Sequence, residues 1–318
     1  PSNEVDAIIV GSGPNGLAAA VRLAQAGARV IVYEARDTIG GGTRTAELTL
    51  QGYLHDVCAA VHPLGLASPY LRELPLQDFG LEYVHPDIPL AHPLDDGTAV
   101  AAYPSLEKTA AGLGPDRDAY AKLMGPLVQN WQKIILDFLG PLPFPPRHPL
   151  LAARFGLTAL RSAAGLARAK FRGSRARALL AGMSAHSILP LDKPGTAGVG
   201  LMISILAHSV GWPVARGGSQ AIADALADYL ASLEGSILTG RSVTSLQDLP
   251  PARAALLDIA PRGLLDIAGE SLRPTYRRQL ENYQYNQGVC KVDWALDSPI
   301  PWHSETAHRA GTLHLGGT

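Results

Sequence analysis

Cysteine is scarce in this chain: Cys58 and Cys290 are the only two among 318 residues. They stand far apart, which excludes a disulfide framework and a paired-cysteine zinc site, and the expectation for each is a small buried hydrophobe. No metal site is expected. Excess charge is missing as well. The 27 basic and 28 acidic residues leave a net −1, so the chain has no global pull towards nucleic acid, which is not expected as a partner. No uninterrupted apolar run is long enough to span a bilayer, and residues 1–5 are too polar for a secretory signal. A cytoplasmic protein, free or peripherally attached to a membrane, is the expectation. H-E-x-x-H, G-x-S-x-G, the phosphate-loop pattern G-x-x-x-x-G-K and a Ser-His-Asp order are all absent, which argues against a hydrolase or an NTPase.

Glycine, by contrast, is concentrated where it can do most. The segment from Asp6 to Thr45 reads as strand, glycine turn, helix, strand ending in an acid, and a second glycine cluster. Ala7–Val10 is an apolar run suited to a buried parallel strand. Gly11, Gly13 and Gly16 follow in G-x-G-x-x-G spacing: the first for a tight turn, the second for close approach of a pyrophosphate, the third for helix–strand packing. Pro14 and Asn15 open the helix, whose N-terminal N–H groups would face the phosphates, and Gly27 stops it. Glu34 ends the next strand 23 residues after Gly11, where a ribose-binding carboxylate belongs. An acid there would repel a 2′-phosphate and disfavours NADP. Ala35 and Arg36 follow, then Gly40, Gly41, Gly42, Thr43, Arg44 and Thr45. An NAD enzyme has no need of that second glycine run, which also reads as a plain surface loop.

This stretch resembles the N-terminal flavin motif of the phytoene-desaturase and amine-oxidase superfamily of FAD-dependent oxidoreductases. The resemblance implies FAD as cofactor, with the acid on the adenosine ribose and the GG-x-x-R-T stretch running along the pyrophosphate. It continues through Gly52–Gly65, where it implies a strand and an Asp beneath the flavin, and through Ala215–Leu246, a glycine turn, a helix and two short strands. In relatives the position of Val243 touches adenine. Ala252–Gly269 matches a strand-turn-helix. Gly288–Trp302, read as containing a strand, and Ala310–Thr318 resemble a bacterial phytoene dehydrogenase-like subgroup. The superfamily has a further glycine-rich segment near its C-terminus. The chain stops at Leu315-Gly316-Gly317-Thr318 before any such stretch, so the reading is of a chain lacking roughly the last third.

The middle of the chain is proline-punctuated, then helical. Patterns run over about 116–139, 150–170 and 195–211, the last apolar nearly all round and so expected to be buried or to line a pocket. Between Asp137 and Asp192 no acid occurs, while Arg147, Arg154, Arg161, Arg168 and Arg175 recur every seven residues. That spacing would put Arg154, Arg161 and Arg168 on one helix face. Two readings stay open: a peripheral membrane contact through residues 147–177, or a solvated face with acidic partners elsewhere.

Candidates for chemistry are few. The resemblance puts His55, Asp56 and His62 near the flavin, and a His could act as acid or base. Satisfaction of local backbone groups is the competing reading. Lys291 is a further candidate, with an ordinary ion pair to Asp293 as its alternative. His186, His208, Trp212, Trp294 and Trp302 read as core or pocket wall. The expected fold class is α/β: a Rossmann-like FAD-binding domain of glutathione-reductase-like βαβ type, made from 1–62 and 212–268, with an interleaved α+β substrate domain from 63–211 and 269–318. The resemblance implies an FAD-dependent oxidoreductase that takes hydride from a carbon of an apolar small-molecule substrate, of the phytoene-desaturase type. A flavin amine oxidase is the alternative within the superfamily. A truncated, non-catalytic Rossmann-like binding or scaffold protein is the alternative outside it. The oligomeric state is not legible.

Overall fold

The computed structural model describes residues 5–140 and 144–316. The polar start of the chain, part of the proline-rich break after Gly140, and the final Gly317-Thr318 lie outside the described residues. The strands are β1 (Val5–Val10), β2 (Val30–Tyr33), β3 (Thr45–Glu47), β4 (Leu54–Asp56), β5 (Tyr83–Val84), β6 (Ile88–Pro93), β7 (Ala99–Ala102), β8 (Val214–Ala215), β9 (Ser236–Leu238), β10 (Ala252–Leu257) and β11 (Ala310–Leu313). The helices used below are α1 (Pro14–Gln25), α2 (Arg117–Gln129), α3 (Trp131–Phe138), α4 (Pro149–Ala159), α5 (Ala163–Lys170), α6 (Ser174–Ala185), α7 (Thr196–Ser209), α8 (Gln220–Ser232) and α9 (Pro261–Ala268).

Four parallel strands in the order β10-β1-β2-β9 form the central sheet of an α/β fold. Successive side chains of β1 point to opposite faces. Ala7 and Ile9 join Val30 and Val32 beneath Leu17, Ala20 and Val21 of α1 and Ile222 and Leu226 of α8. Ile8 and Val10 face the other way, with Val243 and partly buried Leu257 and Ile267. Both faces are covered, which is why β1 reads as a continuous apolar run rather than an alternating one. Leu74, Leu76 and Leu81, far along the chain, are buried in the same cluster as α1 and α8. The α1 helix runs over the expected residues, and Gly27 follows its end at φ +83°.

A second layer gathers around α7. Leu201, Ile205 and Leu206 of that helix are buried among Tyr120, Met124 and Leu127 of α2, Phe155 of α4, Leu166 of α5, and Leu179 and Met183 of α6. An apolar circumference suits a helix with neighbours on every side. A three-stranded sheet, β11-β6-β7, packs against this layer.

Several expectations need correction. The helical pattern over 116–139 breaks at Asn130, whose amide side chain donates to Pro126 O at 2.9 Å. The pattern over 150–170 breaks after Ala159, because Ser162 caps a new helix by accepting the Gly165 N–H at 3.1 Å. Arg154, Arg161 and Arg168 therefore sit on α4, the intervening turn and α5, not on one helix face. Of the two short strands expected after the helix within 215–246, one forms, β9. The Asp248 carboxylate accepts from the N–H of Thr244 and of Ser245, which turns the second segment. Residues 288–302 contain no strand, having no strand partner among the described residues. Cys58 and Cys290 are exposed rather than buried, and so is Trp294, whereas Trp212 is buried.

Three histidines resist protonation in the fold, whereas His186, expected in the core or a pocket wall, is exposed. Burial lowers the pKa of His62 (partly offset by the Asp56 charge) and of His208 (partly offset by the Tyr103 and Pro104 carbonyls). Burial, then the neighbouring His186 and His92, bring His314 down to about 4. Each ring binds a proton more readily in the unfolded chain, near its ordinary value of 6.5. Their stabilising contribution is present above that pH and is lost as pH falls, with the His314 part still falling towards about 4. The urea midpoint at about pH 5 should therefore lie below that at about pH 7. An unchanged midpoint would contradict the burial of neutral rings.

Candidate functional site

A cavity of about 440 Å³ opens at the carboxyl ends of β1, β2 and β10, lined by Gly11, Gly13, Glu34, Gly41, Val243 and Asp258 among others. Pro14, Ala35 and Gly42 line it too. The crevice beyond the carboxyl ends of parallel strands is where open α/β sheets bind ligands, and the volume is in the range of small-molecule sites.

The glycine turn is built by close contact. Gly11 has φ +103°, and a Cβ there would stand 2.5 Å from Asp258 O. A Cβ on Gly16 would stand 2.1 Å from Gly11 O. No side chain is tolerated at either position, so the turn, the start of α1 and the end of β10 lock together. The N-cap residue of α1 is Gly13, which has no side chain to cap with. Asp258 does this from another strand: its Oδ2 accepts the Gly16 N–H at 2.7 Å. The sequence reading missed Asp258. Its signal was an acid directly after the apolar β10, at the end that faces the turn.

Glu34 is tied to the same turn. One oxygen, Oε2, accepts from Ser12 N at 3.0 Å and Ser12 Oγ at 2.5 Å, and Oε1 accepts from Arg36 N at 2.9 Å. Burial raises its pKa, but the Ser12 hydroxyl, the two N–H groups and the Arg44 charge outweigh this and leave it lowered. The carboxylate is therefore ionised at neutral pH, with acceptor capacity left on Oε1. The second glycine cluster is not a detached loop. Gly40 N donates to Ser12 O at 2.9 Å, and a Cβ on Gly41 would meet Gly13 Cα at 3.0 Å. Thr43 Oγ1 donates to Gly40 O and Arg44 Nε to Gly41 O, closing a single 3-10 turn.

Thr45, Asp56 and His62 share one hydrogen-bond network. Asp56 Oδ1 accepts from Thr45 Oγ1 at 2.6 Å and from Ser219 N at 2.7 Å, and Thr45 Oγ1 accepts from Gln220 N at 3.0 Å. The β3–β4 hairpin thus caps α8. Ser219 Oγ donates to Ala59 O at 2.6 Å, so His62 Nε2, 2.7 Å away, is the donor to Ser219 Oγ. Buried and neutral, His62 is fixed in that network. His55 and Lys291, far apart in sequence, meet at one carboxylate. Asp293 Oδ1 pairs with Lys291 Nζ and lies 3.7 Å from His55 Nδ1, while His55 Nε2 is 2.7 Å from Thr49 Oγ1. No group of histidine, cysteine and carboxylate suited to a metal occurs among the described residues.

Residues 9–74 match the NAD(P)-binding Rossmann-like domain family. A stretch of 111 residues is 35% identical to one of the subunits of limonene dehydrogenase from Castellaniella defragrans, covering 35% of this chain and 20% of that one. Another, of 125 residues, is 32% identical to 1-hydroxycarotenoid 3,4-desaturase of a Flavobacterium species, covering 39% and 25%. Among solved structures, cyclohexylamine oxidase of Brevibacterium oxydans superposes with a TM-score of 0.53 at 21% identity, over 87% of this chain and 63% of that one. The matches thus span a fifth to a quarter of these two curated relatives and less than two thirds of the solved structure.

If Asp258 caps α1 as the geometry indicates, Asp258→Ala should lower the unfolding free energy by about 1 kcal/mol, read as a shift in urea midpoint. A midpoint within error of the parent would mean that the Gly16 N–H finds an equal partner in water.

Proposed function

We propose that this chain, a member of the phytoene-desaturase and amine-oxidase superfamily of FAD-dependent oxidoreductases, holds FAD in the cavity at Gly11–Gly16 and carries it for oxidation of an apolar substrate. The observation that carries this reading is the contact of the two glycine segments, Gly41 against Gly13. It lays the second glycine run against the first at the edge of the cavity, and that second run is what the flavin motif of the superfamily carries and a nicotinamide site does not need. In this reading the N–H groups of Gly13 and Asn15 face the pyrophosphate and Glu34 Oε1 takes a ribose hydroxyl. Val243 walls the adenine end, and Gly42 to Thr45 lead towards the flavin. Ionised Glu34 disfavours a 2′-phosphate. The nucleotide unit is proposed to comprise 1–62 and 212–268, and the rest to face substrate.

When bound, a flavin supplies the hydride acceptor, and the protein supplies placement and exclusion of water. The names of two relatives, a limonene dehydrogenase and a hydroxycarotenoid desaturase, support an isoprenoid-like apolar substrate. Such a reaction needs few catalytic side chains. His62 and Asp56 then act as positioning residues, since their hydrogen bonds hold the hairpin on α8. The neighbouring fold of an amine oxidase keeps amine oxidation as the second reading.

The test is retention of flavin. The purified chain should carry or take up FAD, keep its visible spectrum through desalting, and prefer FAD to NAD⁺ and NADP⁺. Gly13→Val, which puts two methyl groups in the phosphate path, should weaken FAD binding by at least about tenfold. Equal binding in the variant would mean that the glycine turn is not the phosphate site.

A further inference from the structure

We infer that the outward face of α4, with Phe144 before it and Leu160 after it, docks on an anionic lipid surface. A surface helix ordinarily turns a polar face to water. This one is apolar on both sides. Its inner side, Leu151, Phe155 and Ala159, packs on the helical core, with Phe155 edge-on to Phe138 at 4.8 Å. Its outer side carries Leu150, Arg154 and Leu157 at helical spacing. Phe144, Leu150, Leu157 and Leu160 are 99, 89, 74 and 71% exposed. Four large apolar side chains within seventeen residues, all facing out, are not explained by the packing of the described residues.

The charges near them in sequence have one sign, and the exposed Asp192, brought beside the start of α5 by the Ala164 N to Leu191 O hydrogen bond, forms no ion pair with them among the described residues. Arg147, Arg154, Arg161 and Arg168 are exposed, and none forms an ion pair among the described residues. Arg161 spends one N–H on Gly165 O. No acid occurs from residue 138 to 191. The acid just before it, Asp137, is buried and holds His148 at 3.1 Å. Leucines to enter the acyl boundary and arginines to meet anionic headgroups are the two halves of an interfacial helix. A second copy of this chain would bring the same cations face to face, which disfavours a self-contact. No helix among the described residues is long and apolar enough to cross a membrane, so the contact is a seat on the surface.

The inference does not depend on the flavin reading, because the test is made on the chain as purified. Flotation with vesicles of phosphatidylcholine alone and with added phosphatidylserine measures it. Binding is expected to the anionic vesicles only and to weaken with salt. Arg154→Gln should reduce it on the order of fivefold, and Leu157→Glu, at an exposed position that leaves the fold and its circular dichroism unchanged, should abolish it. Absence of binding by the parent chain, or equal binding by both variants, would overturn the assignment. So would a concentration-dependent dimer lost in Leu157→Glu, which would give the face to a second copy.

Discussion

The close approach of Gly16 to Gly11 O, which leaves no room for a Cβ on Gly16, is the constraint on which the site depends. With no side chain on either residue, the chain leaves β1, reverses and enters α1 within a few ångströms of itself. Everything nearby follows from that closeness. The end of β10 fits against Gly11 because no Cβ is there, and its Asp258 then accepts the Gly16 N–H, a first-turn donor of α1 with no partner in the helix. Glu34 ties Ser12 to the end of β2, so the turn is held from both neighbouring strands. The second glycine segment rests on the first through Gly40 and Ser12.

A second feature recurs in this half of the molecule. Neither α1 nor α8 is capped by its own sequence. Asp258 caps α1 across 242 residues, and Asp56 and Thr45 cap α8 across 163 and 175 residues. Local caps stabilise a helix alone; distant ones stabilise it only when the surrounding segments are in place. The central sheet is likewise built from distant segments, drawing β1 and β2 from the first 33 residues and β9 and β10 from residues 236–257.

How much of this was legible in the sequence follows from the range of the interactions. The strand, turn, helix and acid between Val5 and Glu34 were readable because each is set by neighbours within a few residues: glycine spacing, apolar runs, a terminal glycine. The burial of α7 was readable from its apolar circumference. The roles of Asp56 and His62 were not, because they depend on Ser219, which lies more than 150 residues away. Asp258 escaped notice for the same reason. The arginine period misled because a serine cap at Ser162 ends one helix and begins another, and periodicity cannot see a break that preserves spacing. The missing strand over 288–302 shows the converse: a β-like composition makes no strand without a partner edge.

That the two glycine segments, Glu34 and Val243 form one dinucleotide site is tested most directly by the change in backbone amide resonances during titration of the isotopically labelled chain with FAD. The largest shifts should fall together on Ser12, Gly13, Asn15, Gly41, Gly42 and Val243, while amides of α2 and α6 stay in place. Shifts confined to the helical layer, or none at saturating FAD, would contradict it.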